Sequence, residues 1–289
     1  VQLAKLQEVA ASLPGLHTVV VVVAPDAVRE TAVSGPAILT MADVLADGRR
    51  QLKQDPGLDA RYEAQARSVV PSDIATIIYT SGTTGAPKGV VLTHGNIVSN
   101  VVATNCVLKV SADDVALSFL PLSHTFERMA MYLYMFAGAS IVFAESLQTV
   151  SRDLARVAPT IMTGAPRVFE KFHQAVLEHV ATAPPLRRRL FAWAVGVGRS
   201  ISAARLDGRT PSVLATIQAP LADALVWRKV RARTGGRIRA MVSGSAPLAR
   251  ATAEFFYAVG LPILEGYGLT ETAPVISVNP MGAAKLGTV

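Results

Sequence analysis

The chain predicts an α/β fold of layered sheets flanked by helices, and three observations carry that prediction. Valines 19–23 form a continuous β-branched run suited to a parallel strand buried on both faces, and Leu3, Leu6, Val9, Ala10 and Leu13 precede it at helical spacing. Short apolar runs alternate with amphipathic stretches from residue 74 to 163, and the alternation resumes from 237 to 278. With 289 residues, 51% hydrophobic and 17% charged, the chain can bury a large core and lacks the polar bias of a disordered one.

In chain order, the polar residues 47–73, punctuated by Asp, Arg, Gln and Pro, predict an exposed helix and a connection to a core strand at 74–79. A loop follows, then strand 89–93, helix 96–109, strand 115–120, helix 126–137, strand 140–143, helix 149–157 and strand 160–163. The apolar stretch 129–144, about sixteen residues broken by Gly138 and Ser140, falls short of the ~20 that span a bilayer and reads as helix, turn and buried strand. Pro166 suits the first turn of the next helix. Residues 168–233 predict two or three long helices, broken at Pro184-Pro185 and near 208–211, as an inserted helical region. Strand 238–242, a glycine turn, helix 247–259, strand 262–265, a second glycine turn and strand 275–278 complete the pattern. The single cysteine, Cys106, excludes an internal disulfide framework and a cysteine metal cluster. It reads as a small core residue on a helix and fits a reducing cytoplasm.

The segment Tyr79-Thr80-Ser81-Gly82-Thr83-Thr84-Gly85-Ala86-Pro87-Lys88-Gly89 points to phosphate chemistry. Four hydroxyls (Thr80, Ser81, Thr83, Thr84) can donate hydrogen bonds, the three glycines Gly82, Gly85 and Gly89 let backbone N–H groups approach an anion, and Lys88 adds a mobile positive charge. It is not a Walker A loop, because Pro87 precedes the lysine and a strand rather than a helix follows. The bland alternative is a polar hairpin loop between two strands.

Two later segments join it. Val242-Ser243-Gly244-Ser245-Ala246-Pro247 stands where a strand gives way to a helix; its small residues are either a wall for a flat ring or an ordinary turn. Leu264-Glu265-Gly266-Tyr267-Gly268-Leu269-Thr270-Glu271-Thr272 offers Tyr267 as a stacking face, Thr270 as a hydroxyl for a phosphate and Glu271 as a hard oxygen ligand for Mg²⁺. Tyr267 could equally cap a strand, and Glu271 could be a helix N-terminal carboxylate. His124 follows a strand and a proline, placing its imidazole within reach of a reacting carboxylate or phosphate, or making it a structural loop residue.

The 28 basic against 21 acidic residues leave a net +7, part of it in Pro185–Arg189 and 227–233. These runs are solvated helix faces or contacts for nucleotides or acidic headgroups. No aromatic interleaving accompanies them, so no nucleic-acid partner is expected.

The three segments, in this order, resemble the phosphate loop, adenine-contact segment and Tyr-Gly-x-Thr-Glu segment of the adenylate-forming enzymes, the acyl-CoA synthetase, adenylation-domain and luciferase superfamily. Leu120-Pro121-Leu122-Ser123-His124-Thr125-Phe126-Glu127-Arg128 is similar to a segment of long-chain fatty acyl-CoA synthetases, with Arg128 where some bacterial relatives place a tryptophan gate. The resemblance implies a fold, a partial N-terminal adenylation domain over residues 1–289, and a reaction. A fatty carboxylate is activated by ATP with Mg²⁺ to an acyl-adenylate and pyrophosphate, then passed to coenzyme A. It implies catalytic roles for His124, Lys88, Thr270 and Glu271. Nucleotide contacts fall to Thr80 to Gly85, Lys88, Gly244 to Pro247 and Glu265 to Thr270, and metal contacts to Thr80 and Glu271. The family's ribose-binding aspartate and C-terminal lid, with its lysine, are expected outside this stretch, and the piece alone is expected to be a poor catalyst. A cytoplasmic setting, with peripheral contact at the inner face of a membrane left open, follows from the same resemblance. The alternatives are a fatty acyl-AMP ligase, an adenylation domain loading a carrier protein, and a non-catalytic nucleotide-binding or membrane-associated scaffold.

Overall fold

The computed structural model describes residues 2–22, 36–81 and 85–289, in two compact units, 1–69 and 70–289. In the first, α1 (Gln2–Val9) and a 3₁₀ turn lead to β1 (Thr18–Val21), which pairs in parallel with β2 (Ala37–Thr40). Helices α2 (Met41–Gln54) and α3 (Leu58–Arg67) follow. A capping box starts α2: Thr40 Oγ1 accepts from the Asp43 N–H, and the Asp43 carboxylate accepts from the Thr40 N–H. The expected exposed region is thus two helices, neither with a fully buried residue. The valine run is corrected. It is parallel, but its residues alternate between exposed and half-buried, because among the described residues the sheet has only two strands and one face stays open. Val23 lies outside the described residues.

The second unit begins with an antiparallel hairpin, β3 (Ile74–Thr80) and β4 (Lys88–Thr93), that pairs only with itself among the described strands. The expectation of a core strand at 74–79 fails for that reason: Ile74, Ile77 and Tyr79 are exposed. Next come α4 (His94–Leu108), β5 (Val115–Ser118), α5 (Thr125–Ala137), β6 (Ser140–Phe143), α6 (Val150–Val157) and β7 (Ile161–Gly164). Helices α7 (Pro166–Ala181), α8 (Pro185–Leu206), α9 (Val213–Ala222) and α10 (Arg228–Ala232) are followed by β8 (Ala240–Ser243), α11 (Arg250–Ala258), β9 (Ile263–Gly268) and β10 (Val275–Val278). A π-turn over Asp223–Trp227 joins α9 to α10. Both expected breaks are present, before Pro185 and around 207–212. Because β7 and β8 are parallel neighbours, the helical region is their crossover, enlarged to four helices.

The main sheet runs β10-β9-β8-β7-β5-β6, parallel from β9 to β6 with β10 antiparallel at one edge. Alternate residues of each central strand point to opposite faces. Leu117, Met162, Met241 and Ile263 join the core beneath α6, α7, α8 and α11, whereas Ala116, Ile161, Val242 and Leu264 join the core beneath α4 and α5. Burial on both faces explains why these strands read as continuous apolar runs. Gly198 lets α8 approach α11, since a β-carbon there would fall 2.0 Å from the Ala258 carbonyl oxygen. Cys106 is on α4 as expected but exposed, a correction to its core reading: the buried face of α4 is carried by Ile97, Val101, Thr104 and Leu108.

At the N-terminal edge of the parallel strands, the Arg239 guanidinium grips Asp114 through Nε (2.9 Å to Oδ1) and Nη2 (2.7 Å to Oδ2). Thr160 Oγ1 donates to Oδ1 at 2.6 Å and the Ser111 N–H to Oδ2 at 3.0 Å. This pin holds the starts of β5, β7 and β8 in register.

Candidate active site

Chain order reverses beside β5, which has β6 on one side and β7 on the other. A crevice therefore opens at the carboxyl ends of β5 and β7, the place where open α/β sheets hold ligands. A cavity of about 330 Å³ runs along the α4 and α5 face of the sheet and past the carboxyl ends of β8 and β9. Its mouth is formed by Thr80, Ser81, His124, Ser245 and the stretch Gly266 to Glu271, and its inner arm by Leu108, Met129, Ala130, Leu133, Ile161 and Val242. The exposed part of the lining is thus mostly polar and the buried part mostly apolar, with Thr104, Thr125, Thr163 and Tyr134 set among the apolar side chains.

Each wall is held by identifiable interactions. Thr80 ends β3 opposite Lys88, the first residue of β4, so the hairpin brings the lysine to the base of the loop. The β4 strand packs on the 3₁₀ turn Thr270–Thr272, bringing together segments nearly two hundred positions apart. On α4, Asn100 Nδ2 donates to the Val275 carbonyl at 2.8 Å and to the Thr272 carbonyl at 3.3 Å, while its Oδ1 accepts from the Val275 N–H at 3.2 Å. The turn bearing Glu271 is thereby clamped to the helix. Arg128 on α5 donates from Nη1 to Thr76 Oγ1 at 2.6 Å and from Nε to the Leu122 carbonyl at 3.0 Å, tying the hairpin to the loop of His124.

His124 is the N-cap of α5, its Nδ1 accepting from the Phe126 N–H at 3.3 Å. A neutral ring that accepts at Nδ1 carries its proton on Nε2, an N–H donor for a carboxylate or phosphate oxygen. Gly266 and Gly268 belong to β9 rather than to a turn, because β10 pairs back onto them. At Gly268 a β-carbon would meet the Pro274 oxygen at 2.1 Å, so only glycine allows this approach. Ser245 has φ +72, the left-handed conformation, where β8 gives way to the next loop.

Below the floor, Glu127 is almost fully buried; Ser118 Oγ donates to its Oε1 at 2.5 Å and Thr163 Oγ1 to its Oε2 at 2.8 Å. Burial pushes its pKa up, against the opposing pull of these hydrogen bonds. The Tyr134 hydroxyl is raised too, by burial and by the Glu127 charge. The hydroxyls of Thr125 and Tyr134, on residues lining the cavity, are fully buried, and the Tyr134 hydroxyl lies beside Thr163.

Of the residues expected at the site, Thr80, Ser81, His124, Gly244, Ser245, Gly266, Tyr267, Gly268, Leu269, Thr270 and Glu271 line this cavity. Gly85, Lys88, Ala246 and Pro247 are exposed outside its lining, and Glu265 is buried, accepting from the Gly287 N–H at 3.0 Å. Gly82, Thr83 and Thr84 lie outside the described residues. Sequence reasoning missed Asn100, Glu127 and the tethering role of Arg128. A usable signal existed for Glu127, which shares a helical face with the apolar Ala130 and Tyr134 at i+3 and i+7.

In this α/β protein a hydroxyl-bearing hairpin and a strand end carrying an aromatic, a hydroxyl and a carboxylate share one cavity. The chain belongs to the AMP-binding enzyme family, whose pattern matches residues 3–289. It is 39% identical over 210 residues to long chain acyl-CoA synthetase 6, peroxisomal, of Arabidopsis thaliana, covering 72% of this chain and 28% of the relative. Fatty acyl-CoA synthetase A of Dictyostelium discoideum is 38% identical over 238 residues (81% and 33%). Long-chain-fatty-acid–CoA ligase FadD15 of Mycobacterium bovis is 34% identical over 272 residues (91% and 44%). The chain therefore spans between 28% and 44% of the length of these relatives. Among solved structures it is similar to ATP-bound MatB from Rhodopseudomonas palustris, at 25% identity and TM-score 0.50 over 75% of this chain and 33% of that one. It shares the fold of VinN in complex with L-aspartate, at 21% identity and TM-score 0.60 over 96% and 56%.

Proposed function

We propose that this chain is the adenylate-forming part of a long-chain fatty acid–CoA ligase, a partial N-terminal domain over residues 1–289. The observation that carries the reading is one cavity with mostly polar exposed lining and mostly apolar buried lining, which suits a carboxylic acid with a hydrocarbon tail meeting a nucleotide. The fatty carboxylate oxygen attacks the α-phosphorus of ATP, the bond between the α-phosphorus and its bridging oxygen breaks, and pyrophosphate leaves. Coenzyme A sulfur then attacks the acyl carbonyl, and AMP departs with the electron pair.

A carboxylate is a weak nucleophile and ATP is strongly charged, so orientation and charge neutralisation supply the rate. Tyr267 offers its ring to the purine. Thr80, Ser81, Gly82, Thr83, Thr84, Gly85 and Lys88 receive the β- and γ-phosphates, Thr270 receives a phosphate oxygen, and His124 donates from Nε2 to the reacting carboxylate or α-phosphate. Gly244, Ser245, Ala246 and Pro247, with Glu265, Gly266, Gly268 and Leu269, make the nucleotide wall. No cluster of three metal-ligating side chains occurs among the described residues. The donor set of one hydroxyl and one carboxylate, Thr80 and Glu271, nonetheless fits Mg²⁺, which needs only one or two protein oxygens beside substrate phosphates. When bound, the ion would neutralise charge on the phosphates.

The test is pyrophosphate release by the full-length parent, measured across carboxylates of increasing chain length with and without coenzyme A. Release with long-chain acids that depends on coenzyme A for turnover is expected, falling at least a hundredfold in Glu271→Gln and Lys88→Met. Transfer to a carrier protein instead of coenzyme A, or no release with any fatty acid, would overturn the reading. No described helix is long and apolar enough to cross a membrane; a cytoplasmic enzyme working at the inner membrane face completes the proposal.

A further inference from the structure

A second hollow, of about 320 Å³, lies on the opposite face of the main sheet from the candidate active site. Ile161 and Val242 line the first cavity, whereas their chain neighbours Met162 and Met241 line the second, so the sheet itself separates the two. Phe119 and Phe172, both half-buried, offer ring surface at its sides, and Met162, Met241, Phe169 and Phe256 close its back from the core. Arg167 and Lys171, one turn apart on α7, stand exposed at its rim with Gln148 and Ser151. No ion pair among the described residues engages either cation. No carboxylate of the described residues belongs to the lining. Those on the α6 side are already occupied: Asp153 accepts from Thr149 Oγ1 at 2.7 Å and from Arg152 Nε at 3.0 Å, and Glu145 accepts from Arg152 Nη2 at 2.7 Å. Glu170 falls between the two cations in sequence but is exposed outside the lining.

We propose that this hollow binds a small aromatic carboxylate, its ring against Phe119 and Phe172 and its charge held by Arg167 and Lys171. The volume falls at the lower end of the range for small-molecule sites, about 300 Å³ upward. Ring–ring and sulfur–ring contacts raise affinity roughly two- to tenfold beyond area alone, so walls of four phenylalanines and two methionines favour a flat ring over an aliphatic chain of equal size. Two unpaired cations with no acid among them select an anion. An inorganic anion would leave the aromatic wall unused, and a neutral ring would leave the cations unused. The site is independent of the first cavity and of the ligase reading.

The full-length parent, its first cavity blocked by saturating lauroyl-sulfamoyl-adenosine, is titrated with 2-naphthoate in a calorimeter. One site is expected, weakening with salt. 2-Naphthol, the same ring without the charge, should bind about tenfold or more weakly, and decanoate, the same charge without the ring, several-fold more weakly. Arg167→Met with Lys171→Met, both exposed and so tolerated by the fold, should weaken naphthoate about tenfold or more. Ser151→Trp fills the hollow from an exposed rim position and should abolish binding. Arg188→Met with Arg189→Met removes as much charge from the exposed start of α8 and should leave binding unchanged. Absence of binding, naphthol or decanoate binding as tightly as naphthoate, binding untouched by both rim variants, or an equal loss in the α8 pair would each overturn the proposal. The sulfamate is titrated separately: its failure to bind while naphthoate binding persists counts against the ligase reading alone, and tight sulfamate binding without naphthoate binding counts against this site alone.

Discussion

Replacing Asp114 by Asn removes the charge at the centre of the pin that joins β5, β7 and β8 while keeping the side chain's size. Burial alone would push the Asp114 pKa up, but hydrogen bonds from Arg239, Thr160 and the Ser111 N–H, together with the guanidinium charge, outweigh it and hold the carboxyl at about 2, against an ordinary 3.8. At about 1.36 kcal/mol per pH unit that difference corresponds to about 2 kcal/mol of folding stability. Because the folded pKa is depressed, this stability is present above the unfolded value and is lost as pH falls toward the folded one; about 1 kcal/mol should disappear between pH 5 and pH 3. Asp114→Asn should therefore cost about 2 kcal/mol or more at pH 7, with Arg239 left partly buried and short of its partner, and less at pH 3. Urea unfolding followed by circular dichroism, on both proteins at both pH values, gives the difference directly. A wild-type-minus-variant difference that stays flat from pH 7 to pH 3 would show that the pin does not carry the charge energy assigned to it.

Glu127 should behave in the opposite sense: its raised pKa means that ionisation works against the fold as pH rises, so Glu127→Gln should be nearly neutral at pH 7 while Glu127→Ala, which strands the Ser118 and Thr163 hydroxyls and opens a void, should cost about 2–4 kcal/mol in the same unfolding assay. Gly268→Ala drives a methyl group against the Pro274 oxygen and should loosen the β9–β10 hairpin, seen as faster amide exchange at Tyr267 and Val275 and weaker nucleotide binding. Arg128→Ala should lower the rate of pyrophosphate release through the parent's Thr80 wall, and Arg128→Lys, which can still donate to Thr76 but not to both partners at once, should restore only part of it. Ser245→Gly should raise stability by about 1 kcal/mol, because glycine adopts the left-handed conformation at no steric cost.

The local grammar of the chain was legible without coordinates. The alternation from 74 to 163, the breaks at Pro184-Pro185 and near 208, and the strand-to-loop positions of His124 and Gly244 follow from periodicity and from the few residues that start and stop helices, which are short-range properties. What misled was burial. The valine run and the 74–79 strand are as apolar as the central strands, yet each sits in a two-stranded sheet with an open face, and apolar composition cannot say how many layers will cover a strand.

By itself the sequence supplied the candidate hydroxyl, aromatic and carboxylate side chains, because that chemistry is intrinsic to the residue and its spacing. Only the tertiary structure decided that the hairpin at Thr80 and the turn at Glu271 share one hollow with mostly apolar buried walls, and that Asn100 and Arg128 clamp those walls. The physical reason is that these depend on contacts between segments dozens to nearly two hundred residues apart, fixed by sheet order and helix packing rather than by any local preference.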